Sequence, residues 1–408
     1  MVNNMPIPKL RFKDNQGRDY PDKIVKRIES LILEYKEKVD ANSNLPILTS
    51  SKQFGIEFQE DHFAGKQRHD IEGYNVLPRN YCTYRNRSDG LDFKFNINTI
   101  CEKGIISKFY PVFKGNNCNL YFLKTLLNND PATLRKIAYT AKGTSQKVLS
   151  ITDLKKITVT IPTLPEQEKI ADFLSNYDHM IDVQSQRVEA MKTRKKGLLQ
   201  KIFSQEIRFK DDHGQDFPEW KSKKLGESTY IERGGSPRPI SKYITGDSNG
   251  INWIKIGDAP VEGNVITSVK EKIISEGVSK SRKVFKGDLI LSNSMSYGRP
   301  YLLAVDGCIH DGWLLIRNDK NIFDIRFLMQ ELASQYVKAQ YDRLSNQGVV
   351  SNLNKELVKS VFIKIPSLPE QRKIADFLTA VDTQIEVEEK RLETMKTIKK
   401  GLLQQMFI

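Results

Sequence analysis

Between Ile170 and Ile202, apolar side chains recur at alternating steps of four and three residues: Ile170, Leu174, Tyr177, Ile181, Val188, Met191, Leu198 and Ile202. Gln184 and Lys195 are the polar exceptions. The same steps run through Ile374, Leu378, Val381, Ile385, Leu392, Met395, Leu402 and Met406, with Glu388 and Lys399 at the polar places. A repeat of 3.5 residues keeps one stripe along a helix and predicts a coiled-coil seam. Each stretch covers about 37 residues, roughly 55 Å at 1.5 Å per residue. Thr163-x-x-Glu166 and Ser367-x-x-Glu370 predict helix starts closed by capping boxes, the hydroxyl taking an orphan amide and the carboxylate reaching back. Pro165 and Pro369 fall in the first turn, where a missing N–H costs nothing. Basic residues such as Lys192, Arg194, Lys396 and Lys400 gather toward the far ends, as the helix dipole favours. Gln184 and Glu388, near mid-helix, are expected to fix the register of the pair.

The two stretches are copies. Residues 162–203 and 366–407 share 26 of 42 positions without a gap, at an offset of 204. A shorter repeat, Arg11-Phe-Lys-Asp with Gly17 and Pro21, returns as Arg208-Phe-Lys-Asp with Gly214 and Pro218. The chain therefore reads as two half-molecules in tandem, a duplication and not a solenoid. It divides into an N-terminal repeated segment 1–21, a variable domain 22–155, a central repeated segment 156–218, a second variable domain 219–360 and a C-terminal repeated segment 361–408. Ile157, Val159 and Ile161, and again Val361, Ile363 and Ile365, alternate as a half-buried strand feeding each helix. Inside the variable domains, Ile251–Ile256, Lys286–Leu291 and Tyr301–Val305 read as strands, and Leu120–Asn128 and Ile325–Leu344 as amphipathic helices. The fold class is α+β: two mixed α/β domains joined by long helices packed as an antiparallel coiled coil, with pseudo-two-fold symmetry.

Charge adds a direction. Lys and Arg outnumber Asp and Glu by 64 to 50, a net +14, which favours a polyanionic partner because phosphate neutralisation releases counterions. The absence of an apolar run near the ~18–20 residues of a membrane span, and of a signal peptide, points to a cytoplasmic protein. Cys82, Cys101, Cys118 and Cys308 show no disulfide or zinc spacing. There is no phosphate loop, no glycine fingerprint for a dinucleotide or S-adenosylmethionine, no adenine-methyltransferase tetrapeptide and no HExxH. Cys308-x-His310-Asp311 reads better as a turn than as a metal cluster. No catalytic residues and no metal site are assigned.

What the loops do carry suits nucleic acid. Tyr84-Arg85-Asn86-Arg87 mixes an aromatic with groups that fork to guanine and adenine edges or reach phosphates. Ser51 and Lys52, and Ser145 and Gln146, supply further donors. In the second half, Arg233, Ser236 and Arg238 sit in a Gly-rich loop able to approach a backbone closely, and Asn293, Ser296, Tyr297 and Arg299 repeat the polar-aromatic-basic mixture.

The layout resembles the specificity subunit of type I restriction-modification enzymes. The resemblance is carried by LPEQxKIADFL at 164–174 and 368–378, MKTxKKGLLQ at 191–200 and 395–404, and RFKDxxGxxFP-like text at 11–21 and 208–218; it covers the whole chain. It implies two target-recognition domains, each reading half of a split, asymmetric site in double-stranded DNA, held apart by the helices. It implies two modification subunits carrying S-adenosylmethionine for adenine-N6 methylation, and two restriction subunits using ATP and Mg. The chain itself would bind no cofactor and catalyse nothing. A self-contained nuclease or methyltransferase, and a stand-alone regulator or coiled-coil scaffold, are the rival classes.

Overall fold

The computed structural model describes residues 10–62, 70–260, 263–293, 298–345 and 353–407. The chain forms two compact units, Met1–Ser185 with Lys390–Ile408, and Gln186–Glu389. The two long helices, Leu164–Phe203 and Leu368–Met406, each give their first part to one unit and the remainder to the other.

In the first unit an antiparallel four-stranded sheet runs Ile32–Tyr35, Val112–Gly115, Cys82–Tyr84, Phe95–Ile97. The helices Leu120–Asn129 and Pro131–Thr140 follow, capped by Asn119 and Asp130, which accept from amides that would otherwise be orphaned. Phe122, Leu123, Leu126 and Leu127 share one core with Ile170, Ala171 and Leu174 of the first long helix and Met406 and Phe407 at the end of the second. In the second unit two five-stranded sheets are built around Leu289–Ser292 with Trp313–Arg317 and Ile251–Ile254 with Gly307–Ile309. Their largest core contains Phe327 and Leu328, Ile374 and Leu378 at the start of the second long helix, and Ile202 and Phe203 at the end of the first.

Both units thus pair the start of one long helix with the end of the other, which is antiparallel packing. The ion pairs have the same sense: Asp178 meets Lys399 in the first unit, and Lys192–Glu389 and Lys195–Asp382 in the second run in opposite directions along the two helices. Every predicted seam position is buried or half-buried. Gln184 is 7 % exposed, and Glu388 pairs with Arg187 at 2.8 Å. The predicted strands are present as Thr158–Ile161 and Phe362–Ile365, each antiparallel to one partner, Ile24–Arg27 and Lys221–Lys224. The predicted helix over 325–344 is two helices, Ile325–Leu332 and Gln335–Ser345. The break falls at Ala333–Ser334, where the Ser334 hydroxyl accepts the Val337 N–H and restarts the chain.

The capping boxes do not form. Thr163 Oγ1 and Ser367 Oγ are buried without a hydrogen-bond partner among the described residues. Glu166 instead takes two bonds from the Arg11 guanidinium, at 3.1 and 2.7 Å, and Glu370 takes two from Arg208, at 3.2 and 3.1 Å. A bidentate guanidinium outcompetes a local amide for a carboxylate that is about to be buried. Around each pair the repeated letters find one another. Phe12 stacks edge-on against Phe173 at 5.4 Å, Phe209 against Phe377 at 5.5 Å, and Lys169 and Lys373 donate to the carbonyls of Lys13 and Lys210. Gln167 and Gln371 finish the lock, donating to Pro162 and Pro366 and accepting the amides of Asn119 and Asp324. The repeated segment is therefore one docking device used twice. It holds the helix Leu120–Asn129 in one unit, and Ile325–Leu332 in the other, together with the RFKD segment, to the start of a long helix.

Candidate nucleic-acid interface

In the first unit the chain leaves the sheet at Tyr84, turns through Arg85 and Asn86, and pairs Arg87–Ser88 with Lys147–Val148. This ladder brings together two loops that are 60 residues apart in sequence: Arg85 and Arg87 on one side, Ser145 and Gln146 on the other. Arg85, Arg87 and Ser145 are exposed. Arg87 lies over the Phe109 ring at 4.3 Å, a contact that fixes the guanidinium plane without using its N–H donors. The Gln146 amide donates to Asp89 Oδ1 at 3.3 Å. Gly143 has φ +107°, and a Cβ there would lie 2.2 Å from the Gln146 carbonyl, so this tight loop requires glycine. Asn86 is held by backbone bonds to Phe109 and Leu149, and its Oδ1 is buried with no partner among the described residues. Ser51 closes its own turn by accepting the Phe54 N–H, and Lys52 pairs with Asp92 at 2.7 Å.

Tyr84 is a correction. It is fully buried, packs on Phe95 at 4.6 Å and donates its hydroxyl to the Leu149 carbonyl at 2.9 Å. Burial raises its pKa. A residue closing the sheet's inner face cannot reach a ligand, so it leaves the list of contact candidates.

In the second unit the candidates converge on one residue, through both its carboxylate and its backbone carbonyl. Asp311 accepts from Ser236 Oγ at 2.9 Å, pairs with Arg238 at 3.7 Å and contacts His310 at 2.9 Å. Its carbonyl accepts from Arg233 Nε at 3.2 Å and Asn293 Nδ2 at 2.8 Å. Arg233 and Arg238 remain exposed, so Asp311 anchors a basic loop without covering it. The glycines serve a different end from the expected one: a Cβ on Gly234 would lie 2.0 Å from the His310 carbonyl. They let the loop lie against its own protein, so the expectation of close approach to a DNA backbone is set aside. Asn293 is 6 % exposed and works as a strut, which removes it from the contact set. Arg299 is spent internally on the Gly263 carbonyl and Asn264 Oδ1 and lies over the Tyr301 ring. Ser296 and Tyr297 lie outside the described residues. Sequence reading passes over Phe109 and weighs Asp311 only as part of a turn or metal cluster, because the partners of both are remote. An acidic residue beside a histidine between two strands, with a basic loop elsewhere, is the only signal for Asp311.

Among the described residues no group of three or more His, Cys, Asp or Glu could hold a metal, and no helix is long and apolar enough to cross a membrane.

Comparison with known proteins adds the family. The family model described as the type I restriction modification DNA specificity domain matches residues 91–193 and 218–397. Two proteins of Methanocaldococcus jannaschii that carry the names of type I restriction enzyme specificity subunits are similar to this chain. The one named MjaX is 27% identical over 275 residues, 65% of this chain and 62% of its own length. The one named MjaVIII is 25% identical over 279 residues, 64% of each. The chain thus spans less than two thirds of the length of these relatives. The crystal structure of a type I restriction-modification S subunit from M. genitalium has the same fold, with TM-score 0.58 at 15% identity, covering 98% of this chain and 99% of that one. A chain from a study of complex assembly and conformational transition in a type I system matches equally, TM-score 0.58 at 18% identity, over 95% and 98%. The duplicated docking device and the domain match agree: this chain belongs to the type I restriction-modification DNA specificity family.

Proposed function

We propose that the chain is a non-catalytic subunit that reads a bipartite, asymmetric site in double-stranded DNA, one half by residues 22–155 and the other by 219–360. The observation that carries this is the division between repeated and unrepeated parts. The repeated residues are consumed in docking, from Arg11–Glu166 to Arg208–Glu370, while the exposed basic loops around Arg87 and Arg233 differ between the halves. A constant frame with two different polar-basic loops suits two different half-sites. Arg85, Arg87, Gln146, Arg233, Ser236 and Arg238 are the proposed contact residues, with Ser51, Lys52, Asn86 and Ser145 at their margins.

On this reading two modification subunits supply S-adenosylmethionine and adenine-N6 methylation. Two restriction subunits supply ATP- and Mg-dependent cleavage of unmodified DNA, and the assembly works in the cytoplasm. The chain's own work is to bind, orient and exclude wrong sequences. Purified alone it should neither methylate nor cleave DNA with any cofactor added, and addition of its modification subunit should produce methylation at one split motif. Robust catalysis by the isolated chain would overturn the proposal.

A further inference from the structure

The first unit contains a polar cleft of about 400 Å³ between the turn at Lys52–Gly55, the helix Leu120–Asn129 and the two long helices. Its floor is a pair both units share: Lys399 contacts Asp178 as Lys195 contacts Asp382 at 2.5 Å. The Tyr121 hydroxyl donates to Asp178 as well. Two further lysines have been added. Lys124 comes from the helix, its ammonium over the Tyr121 ring at 4.0 Å, and Lys94 from the approach to strand Phe95–Ile97; both line the cleft. The equivalence of the two halves is fixed by hydrogen bonds: Asn119 and Asp324 each give their backbone amide to the matching glutamine of a long helix. Counting five residues on from each places Lys124 where the second unit has Met329. The extra charge is therefore not part of the docking device.

Charge accounting gives the ligand class. Lys52 is paired with Asp92 and Lys399 with Asp178, while neither Lys94 nor Lys124 hydrogen-bonds a carboxylate among the described residues. Both are half-buried; burial lowers both pKa values, opposed by Asp92 near Lys94 and by Asp178 near Lys124 and reinforced by repulsion from Lys399. Lys52, Lys94, Lys124 and Lys399 set four ammonium charges against the two carboxylates Asp92 and Asp178, so about two further negative charges would balance this concave polar site. We propose that this cleft binds a small phosphoryl dianion, inorganic phosphate or the phosphate of a mononucleotide, through Lys94 and Lys124. The volume suits such a ligand and is within the ordinary range of small-molecule sites, whereas a duplex would have to enter a recess.

The test is calorimetric titration of the full chain with inorganic phosphate and, separately, with AMP. The wild type should bind one equivalent. Lys124→Met, which installs the second unit's residue, and Lys94→Gln should each weaken binding at least tenfold with the unfolding temperature retained. Tighter binding of AMP than of phosphate identifies a nucleotide as the ligand, and equal binding identifies the inorganic ion. Equal affinity in wild type and both variants would overturn the site. So would displacement of phosphate by duplex DNA in wild type, with DNA affinity falling in both variants, which would make the cleft part of the DNA surface. Loss of assembly with a modification subunit, with no phosphate bound by wild type, would also overturn it by pointing to a partner's carboxylate.

Discussion

Tyr84 ends one strand and Arg87, three residues on, opens the next, the first inside the sheet and the second on Phe109 at the surface. Alanine at Arg85, Arg87, Arg233 or Arg238 should weaken DNA binding. Where the contact is to a base edge the loss should be ~1–3 kcal/mol and confined to one half-site. Where it is to a phosphate, all sequences should weaken and the salt dependence flatten. Competition binding at several salt concentrations separates the two. Tyr84→Phe should leave binding untouched and cost about 1 kcal/mol of stability, from the unpaired Leu149 carbonyl. Composition made Tyr84 a candidate, because sequence shows which side chains could touch DNA but not which way a strand end faces. Glu331 makes the same point with a titration. It is fully buried; burial raises its pKa from 4.5 to about 7, partly offset by the Lys364 N–H it accepts and the charge of Lys364. Folding favours its protonated form, so its contribution is fully present below pH 4.5 and lost as pH rises through 7. Glu331→Gln should match wild type below about pH 4 and exceed it near pH 8 by about 1–3 kcal/mol. Denaturant melts showing a constant difference across that range would contradict the assignment.

At the level of elements, the long helices were legible because a 3.5-residue period is a local signal, and all twenty seam positions are at least half-buried. Their first turns were legible in place but not in chemistry. Thr163 and Glu166 satisfy a local pattern, yet Arg11 is 155 residues away in sequence and no window reveals it. Only the joint recurrence of RFKD and LPEQ hinted that the two belong together. The variable domains were the least legible. Their strands are mostly of two to four residues, and their pairings cross long loops. The ion pair is open to measurement: Glu166 is 1% exposed beside Arg11 at 24%, so Arg11→Ala leaves a buried carboxylate without its counterion. A loss of about 3 kcal/mol is expected, with Arg208→Ala losing a similar amount through Glu370. A double-mutant cycle with Glu166→Gln should recover part of it. Leu174→Asp and Leu378→Asp, both in fully packed cores, should do more, unfolding the helix pairing outright. Circular dichroism that shows both folded would contradict the seam.

For the whole molecule, duplication explains why one chain can be both constant and specific. Each unit repeats the Arg–Glu clasp, the phenylalanine pair, the glutamine lock and the Lys–Asp contact. The loops between are free to diverge because the frame does not depend on them. Long-read methylome sequencing of cells carrying this chain with its modification subunit should return one split motif. In cells where residues 22–155 come from another family member, the motif should keep one half unchanged and replace the other. A swap that altered both halves, or methylation that persisted unchanged without the chain, would contradict two independent readers on a shared frame.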